Sequence, residues 1–225
     1  MSNTPGQLFV VATPIGNLGD LTARAKAIFS SVDLVLCEDT RVTAKLMAAL
    51  ELRPSLHSFH EHTDALKRRQ FVDMLTEGKK IALVTDAGTP AISDPGSFLV
   101  ADAVAAGVTV TPIPGPSAVI AALSISGLPL DRFTFVGFPP HKKGRQTFFK
   151  ELGALHHTVV LYESTHRIEK TLEALKELDR ELVVCRELTK LHETIYRGSA
   201  EEVMKQIMAT SSKGEFVIVI APASS

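Results

Sequence analysis

Short apolar runs alternate along the chain with amphipathic stretches, the order expected of strand and helix repeats built on a largely buried sheet. In the first half, the runs at 8–12, 34–37, 81–85 and 108–113 read as strands, and 21–31, 41–51, 63–77, 96–106 and 117–125 read as helices. Asp33 and Gly78 mark element boundaries, and Gly107 suits a helix C-terminus ahead of the run at Val108. The segment GLPLDRF after Ser126 sets a glycine, a proline and a charge pair between two periodic stretches, so it is expected as a linker. Two lobes follow, 1–126 and 127–225.

The second half reads as strands at 133–138, 158–162, 182–186, 193–197 and 215–221, with helices at 144–155, 166–178 and 200–210. Ser199 with Glu202 three residues on is a capping box, which places the start of the last helix. Strand following strand over 182–197 predicts a hairpin, and hence a mixed second sheet. The expected class is α/β: two α/β lobes, a mainly parallel sheet in the first, a mixed sheet in the second, and a ligand cleft between them.

With 225 residues and 45% apolar content, the chain can bury one large core or two modest ones. Cys37 and Cys185 lie inside apolar runs, where a thiol acts as a small hydrophobe, and they supply neither a disulfide framework nor a metal set. No basic segment precedes the first apolar run, so the N-terminus does not read as a signal peptide. The apolar stretches fall short of the roughly 20 residues that cross a bilayer. A cytoplasmic location and no membrane partner are therefore expected. Lys and Arg total 24 against 25 for Asp and Glu, and each half is near neutral. A nucleic-acid partner would have to be held by local clusters, not by a global field.

Three loops carry candidate chemistry. The first expected strand runs into TPIGN (13–17), ahead of Gly19 and Asp20; it is neither GxGxxG nor a P-loop, and alone could be a tight turn. The run TDAGTPAISDPG (85–96) crowds hydrogen-bonding groups beyond what reversing the chain requires, though a structural Ω-loop is the alternative. Asp86 or Asp94 could bind a hydroxyl or an ammonium group there. In IPGPSA (113–118), Pro116 suits a helix first turn and Gly115 permits close approach to a ligand. Loops that each follow a strand of one sheet would line one edge of it, where α/β proteins bind ligands.

The motifs ATPIGNLGDLT, LCEDTR, TDAGTPAISDPG, PIPGPSA, GFPPHKKGR, YESTHRI and CRELTKLHE occur in order over about residues 8–222. In this they resemble the ribosomal small-subunit methyltransferase I family of the tetrapyrrole methylase superfamily. That resemblance implies a two-lobed α/β enzyme, usually a homodimer. It further implies methyl transfer from S-adenosylmethionine to the ribose 2′-oxygen of a cytidine near the decoding centre of 16S rRNA, with that RNA or the small ribosomal subunit as partner. It places the donor against Pro14 and Gly16, along Asp86, Ala87, Gly88 and Pro90, at Ile92, Ser93 and Asp94, and beside Ser117 and Ala118. Two departures stand out. Members of the family often continue past the last strand into a basic helical extension where this sequence stops at Ser225, so an effect on RNA affinity is expected, and Thr165 stands where proline is common, with Ser164 or Thr165 expected to cap the next helix.

Transfer from a sulfonium is an in-line displacement, so the protein's task is to position the hydroxyl and accommodate its proton. Polar residues that follow strands are the candidates: Glu38, Asp39 and Arg41; Glu163, His166 and Arg167; Arg186, Glu187 and Lys190. Asp39, or a Lys190 neutralised by burial, could take the proton, with Arg41 and Glu187 beside them; any of these could instead be an ordinary ion pair. His166 reads as a positioning residue. RNA contacts are expected from Lys142, Lys143, Arg145, Arg167 and Arg186, and stacking from Phe138, Tyr162 and Tyr196. Lys67, Arg68 and Arg69 read as a solvated helix face. Two other functions fit the same loops: a methylase of a precorrin-like tetrapyrrole, and a non-catalytic nucleoside-binding regulator. The basic clusters favour RNA.

Overall fold

A computed structural model of the chain describes residues 6–60, 63–92 and 96–223. One compact unit ends at Ser117 and a second begins at Ala118.

The first unit holds five parallel strands, β1 (Gln7–Val11), β2 (Leu34–Cys37), β3 (Leu56–Ser58), β4 (Lys80–Leu83) and β5 (Thr109–Ile113), in the order β3-β2-β4-β1-β5. Four helices flank it: α1 (Ala23–Ser31), α2 (Thr40–Ala49), α3 (Ala65–Thr76) and α4 (Gly96–Ala105). Successive strand residues point to opposite faces. Leu34, Leu36, Ile81 and Leu83 pack on Phe71 and Leu75 of α3 and on Leu99 and Ala103 of α4. Val35, Cys37, Ala82 and Val84 pack on Ala25 and Phe29 of α1 and Met47 of α2. With both faces covered, the strands read as unbroken apolar runs. Thr22, Asp39 and Asp64 each cap the next helix with a side-chain oxygen.

This packing fixes where loops gather. The β1-to-β2 connection runs over one face through α1, and the β4-to-β5 connection runs over the other through α4. Neighbouring strands β1 and β4 therefore send their loops to opposite faces, which opens a crevice at their carboxyl ends.

The second unit orders its strands β6-β7-β10-β8-β9: β6 (Phe133–Phe135), β7 (Thr158–Ser164), β8 (Leu182–Arg186), β9 (Thr194–Gly198) and β10 (Glu215–Ile220). Only β6 and β7 pair in parallel, so the sheet is mixed, and β8 and β9 form the expected hairpin. One face carries Val159, Leu161, Val184, Phe216 and Ile218 against α6 (Arg145–Gly153), α7 (Ile168–Leu175) and α8 (Ala200–Thr210). The capping box of Ser199 and Glu202 opens α8. Helix α5 (Ala118–Ser124) packs on β10 and β7. Arg197 of β9 donates to the carbonyls of Ser126 and Ile125 just past the end of α5, a cationic partner at the helix C-terminus.

Three expectations need correction, and one strand was not read from the sequence. The 117–125 helix was grouped with the first lobe, yet α5 packs in the second unit, ahead of the proline-containing linker. Pro116 precedes α5 and is not in its first turn. Neither Ser164 nor Thr165 caps α7; the Thr165 hydroxyl instead donates to the Gly214 carbonyl and accepts from its N–H, both at 2.7 Å. Finally, β3 is a strand of three partly exposed residues at a sheet edge, too short to show periodicity.

Candidate functional site

In the first unit, the loops after β1, β2, β4 and β5 are tied directly to one another. Thr13 and Gly88 exchange backbone hydrogen bonds of 2.9 and 3.1 Å in an isolated antiparallel bridge. The buried Thr13 hydroxyl donates to the Thr85 carbonyl at 3.2 Å. Thr89 donates to the Pro116 carbonyl at 3.2 Å, joining the β4 and β5 loops. A methyl on Gly115 would stand 3.0 Å from the Ala12 Cβ, so the β5 loop lies close against the end of β1. The Asp39 N–H donates to the Asp86 carboxylate at 3.1 Å, and Thr85 Oγ1 reaches Glu38 Oε2 at 3.5 Å, which brings in the β2 loop.

Backbone conformation within this cluster is demanding. Gly88 is buried with φ +86°, and a Cβ there would meet Ile15 Cγ2 at 3.4 Å. Ala91, three residues on, adopts φ +68°, a left-handed conformation that costs a non-glycine residue roughly 1–2 kcal/mol. Strain of this kind persists where the surroundings fix the loop.

The expected donor residues fall as follows. Pro14, Gly16, Asp86, Ala87, Gly88 and Pro90 lie on the two bridged loops; Gly16, Asp86 and Ala87 are exposed, while Gly88 and Pro90 are buried. Ile92 is exposed at the end of the described part of its loop, and Ser93 and Asp94 lie outside the described residues. Ser117 and Ala118, both half-buried, are the last residue of the first unit and the first of α5. Thr13, which the sequence singled out only as the start of a turn, is the hub. Glu38 and Asp86 put two carboxylates on these joined loops, a setting suited to a cationic group, while the Asp39 carboxylate is paired with Arg41.

Asp39 and Lys190 do not suit the proton-accepting role expected of them. Arg41 forks onto Asp39 with bonds of 3.0 and 2.6 Å while its N–H is capped by the same carboxylate. Those bonds hold the Asp39 carboxyl down at about 2, too weak a base to take a ribose proton. Lys190 donates to Glu187 at 2.9 Å and Glu215 at 2.8 Å. Burial works against its charge, yet the two carboxylates outweigh it and hold the ammonium above its ordinary value. It is not the neutral amine the sequence reading required. Glu187 is likewise engaged, and although burial opposes its ionisation, the Glu215 N–H and Lys190 lower its titration.

The basic residues of the second unit divide into two groups. His141, Lys142 and Lys143 are exposed on the segment between Gly137 and Gly144. Arg145, Arg167 and Arg186, also expected on RNA, each hold protein groups. Arg145 donates to the Pro140 carbonyl and to Thr171, Arg167 donates to the Pro139 carbonyl and pairs ionically with Glu163, and Arg186 donates, nearer the surface, to the carbonyls of Lys213 and His192. Their guanidinium groups brace the protein. Glu163, weighed as an acceptor-side group, has a fully buried side chain. Tyr196 is buried with its hydroxyl on Thr210, which removes it as a stacking surface. Phe138 remains half-exposed, 5.4 Å centre to centre from Tyr162. No cluster of three or more metal-ligating side chains occurs among the described residues.

Residues 7–204 match the family model for Tetrapyrrole (Corrin/Porphyrin) Methylases. The chain belongs to the tetrapyrrole methylase family. A crystal structure of uroporphyrin-III C-methyltransferase from Thermus thermophilus, complexed with S-adenyl homocysteine, shares the fold with a TM-score of 0.65 at 17% identity, covering 96% of this chain and 97% of that one. Much closer in sequence are proteins named ribosomal RNA small subunit methyltransferase I. The one from Xylella fastidiosa is 46% identical, covering 99% of this chain and 84% of that protein. The one from Thermotoga maritima is 40% identical, covering 96% and 98%. This similarity places the chain in the ribosomal RNA small subunit methyltransferase I branch of the family.

Proposed function

We propose that this protein is an S-adenosylmethionine-dependent rRNA methyltransferase, and more finely that it methylates the ribose 2′-hydroxyl of a cytidine in 16S rRNA near the decoding centre. The observation that carries the reading is a division of local charge. Carboxylates of Glu38 and Asp86 stand on the joined loops of the first unit, while His141, Lys142 and Lys143 are exposed on one segment of the second. A cationic donor suits the first set and a phosphate backbone the second. The names carried by relatives of 40 and 46% identity support the RNA acceptor over a tetrapyrrole.

In this reading the first lobe holds the donor: the backbone of the Thr13–Gly88 bridge cradles it and Asp86 balances its charge. When bound, the donor supplies an electrophilic methyl group on a positively charged sulfur. The chain's own contribution is orientation, since Asp39 is too weak a base and Lys190 is held as an ammonium that has no site for a proton near neutrality. Lys142 and Lys143 bind phosphate and bring the acceptor strand into register. A homodimeric assembly and a cytoplasmic location belong to the same proposal; no helix among the described residues is long and apolar enough to cross a membrane.

Incubation with methyl-labelled S-adenosylmethionine and either small ribosomal subunits or a tetrapyrrole, followed by mass mapping of the product, tests this. Label on a cytidine ribose supports the full proposal. Label on a base or another nucleoside overturns its finer part, and label only on the tetrapyrrole, or none, overturns the whole.

A further inference from the structure

The segment from Phe138 to Lys143 lies between two left-handed glycines, Gly137 at φ +67° and Gly144 at φ +84°, and has no regular structure of its own. Two arginines hold it from below. Arg167 Nη1 donates to the Pro139 carbonyl at 2.7 Å, and Arg145 Nη1 donates to the Pro140 carbonyl at 3.2 Å. Both arginines are organised by one buried carboxylate. Glu163 Oε1 forms an ion pair with Arg167 Nε at 2.9 Å and accepts from the Ser164 N–H at 2.7 Å, while Arg167 Nε donates to Ser164 Oγ at 3.3 Å. Its Oε2 accepts from the Thr171 hydroxyl, which in turn accepts from Arg145 Nη2 at 2.7 Å.

A carboxylate with a fully buried side chain needs such complete pairing, because an unpartnered charge there would be strongly disfavoured. The consequence is directional: the hydrogen bonds and ion pair of Glu163 go to Ser164, Thr171 and Arg167 and not to the segment, yet they fix both guanidinium groups that reach it. One carboxylate faces two guanidinium groups, so the network keeps a net positive charge beneath an exposed surface already carrying His141, Lys142 and Lys143.

We propose that Glu163 is a positioning residue for the acceptor: through Arg167 directly, and through Thr171 to Arg145, it locks the Pro139–Pro140 backbone so that Lys142 and Lys143 present a fixed pair of charges to the phosphates of the RNA. This rests on the rRNA reading proposed above.

The test uses the full-length protein in two arms. In the first, limited trypsin digestion without RNA follows cleavage after Lys142 and Lys143 against that after Lys205 on α8. Glu163→Gln is expected to speed cleavage in the segment about tenfold while cleavage after Lys205 is unchanged. Thr171→Val, which leaves the Glu163–Arg167 pair in place, gives a smaller rise and serves if Glu163→Gln does not fold. Unchanged cleavage in the segment in every folded variant overturns the positioning role. The second arm measures methylation of small subunits. Glu163→Gln, or Thr171→Val in its place, raises KM severalfold with kcat and donor affinity retained, and this penalty vanishes when Lys142 and Lys143 are both alanine. An undiminished penalty in that background, or no penalty, overturns the link to the acceptor. If the unmodified protein methylates no RNA, the rRNA reading and the acceptor role fail together, while the first arm still decides whether Glu163 holds the segment.

Discussion

The backbone N–H of Asp39 donates to the carboxylate of Asp86, 3.1 Å away, so a residue expected to hold the donor also ties the loop after β2 to the loop after β4. Asp86 thus has a structural duty and a charge to offer, and two substitutions separate them. Asp86→Asn keeps an acceptor for the Asp39 N–H but removes the charge; Asp86→Ala removes both. We expect donor affinity, read by calorimetry, to fall about tenfold in Asp86→Ala and by less in Asp86→Asn, in keeping with loss of a charged hydrogen bond. Equal affinity in all three proteins would take Asp86 out of the site.

Asp39 should behave as a structural anion. Its carboxyl titrates near 2 instead of the ordinary 3.8, chiefly through Arg41. A depressed value in the folded state means that its stabilising effect is complete above about 4 and fades as pH falls toward 2. Carbon-detected NMR of the Asp39 carboxyl should give a midpoint near 2 that moves up toward 3.8 in Arg41→Ala. Methyl transfer by Asp39→Asn should keep the pH profile of the unaltered enzyme; loss of a limb of that profile would restore Asp39 as the base.

For Lys190 the sign is opposite. Its ammonium is held above the usual 10.5 by Glu187 and Glu215. That contribution is intact below 10.5 and disappears only as pH rises beyond the raised value. Lys190→Met leaves Glu187 and Glu215 facing each other without the shared cation. Its thermal midpoint should drop more at pH 8 than at pH 4, where protonation relieves the repulsion. A deficit independent of pH would show that the lysine acts by packing alone.

Core and tip of the second unit should respond very differently to truncation. Leu172 is 0% exposed on α7, and Leu172→Ala should cost about 2–5 kcal/mol in chemical denaturation. Leu191, on the β8–β9 turn, is 93% exposed, and Leu191→Ser should change stability by less than about 0.5 kcal/mol.

Most of this architecture could be read from side-chain pattern. Continuous apolar runs at 34–37 and 81–85 signalled strands buried on both faces, and the Ser199–Glu202 pair located α8 because a cap is a local interaction. The ownership of α5 was not legible, since an apolar helix does not say which of two sheets it covers; β10 and β7 decide that. The site shows the same division. Glycine, proline and aspartate over 85–96 marked a candidate ligand loop by composition, but the bridge of Thr13 to Gly88 depends on strands far apart in sequence. The arginines at 145, 167 and 186 looked like surface cations because sequence reveals charge and not the carbonyls those guanidinium groups reach.

The proposed donor site at the β1 and β4 loops stands at the centre of this account, and Gly88 holds a left-handed backbone there, at φ +86°. Equilibrium dialysis of labelled S-adenosylmethionine against the unaltered protein and Gly88→Val measures the site directly. The account predicts saturable one-to-one binding by the former and a loss of about tenfold or more in the folded variant, whose β-branched side chain is strained at positive φ. Equal affinity in the two proteins, or no retention by the unaltered one, would contradict it.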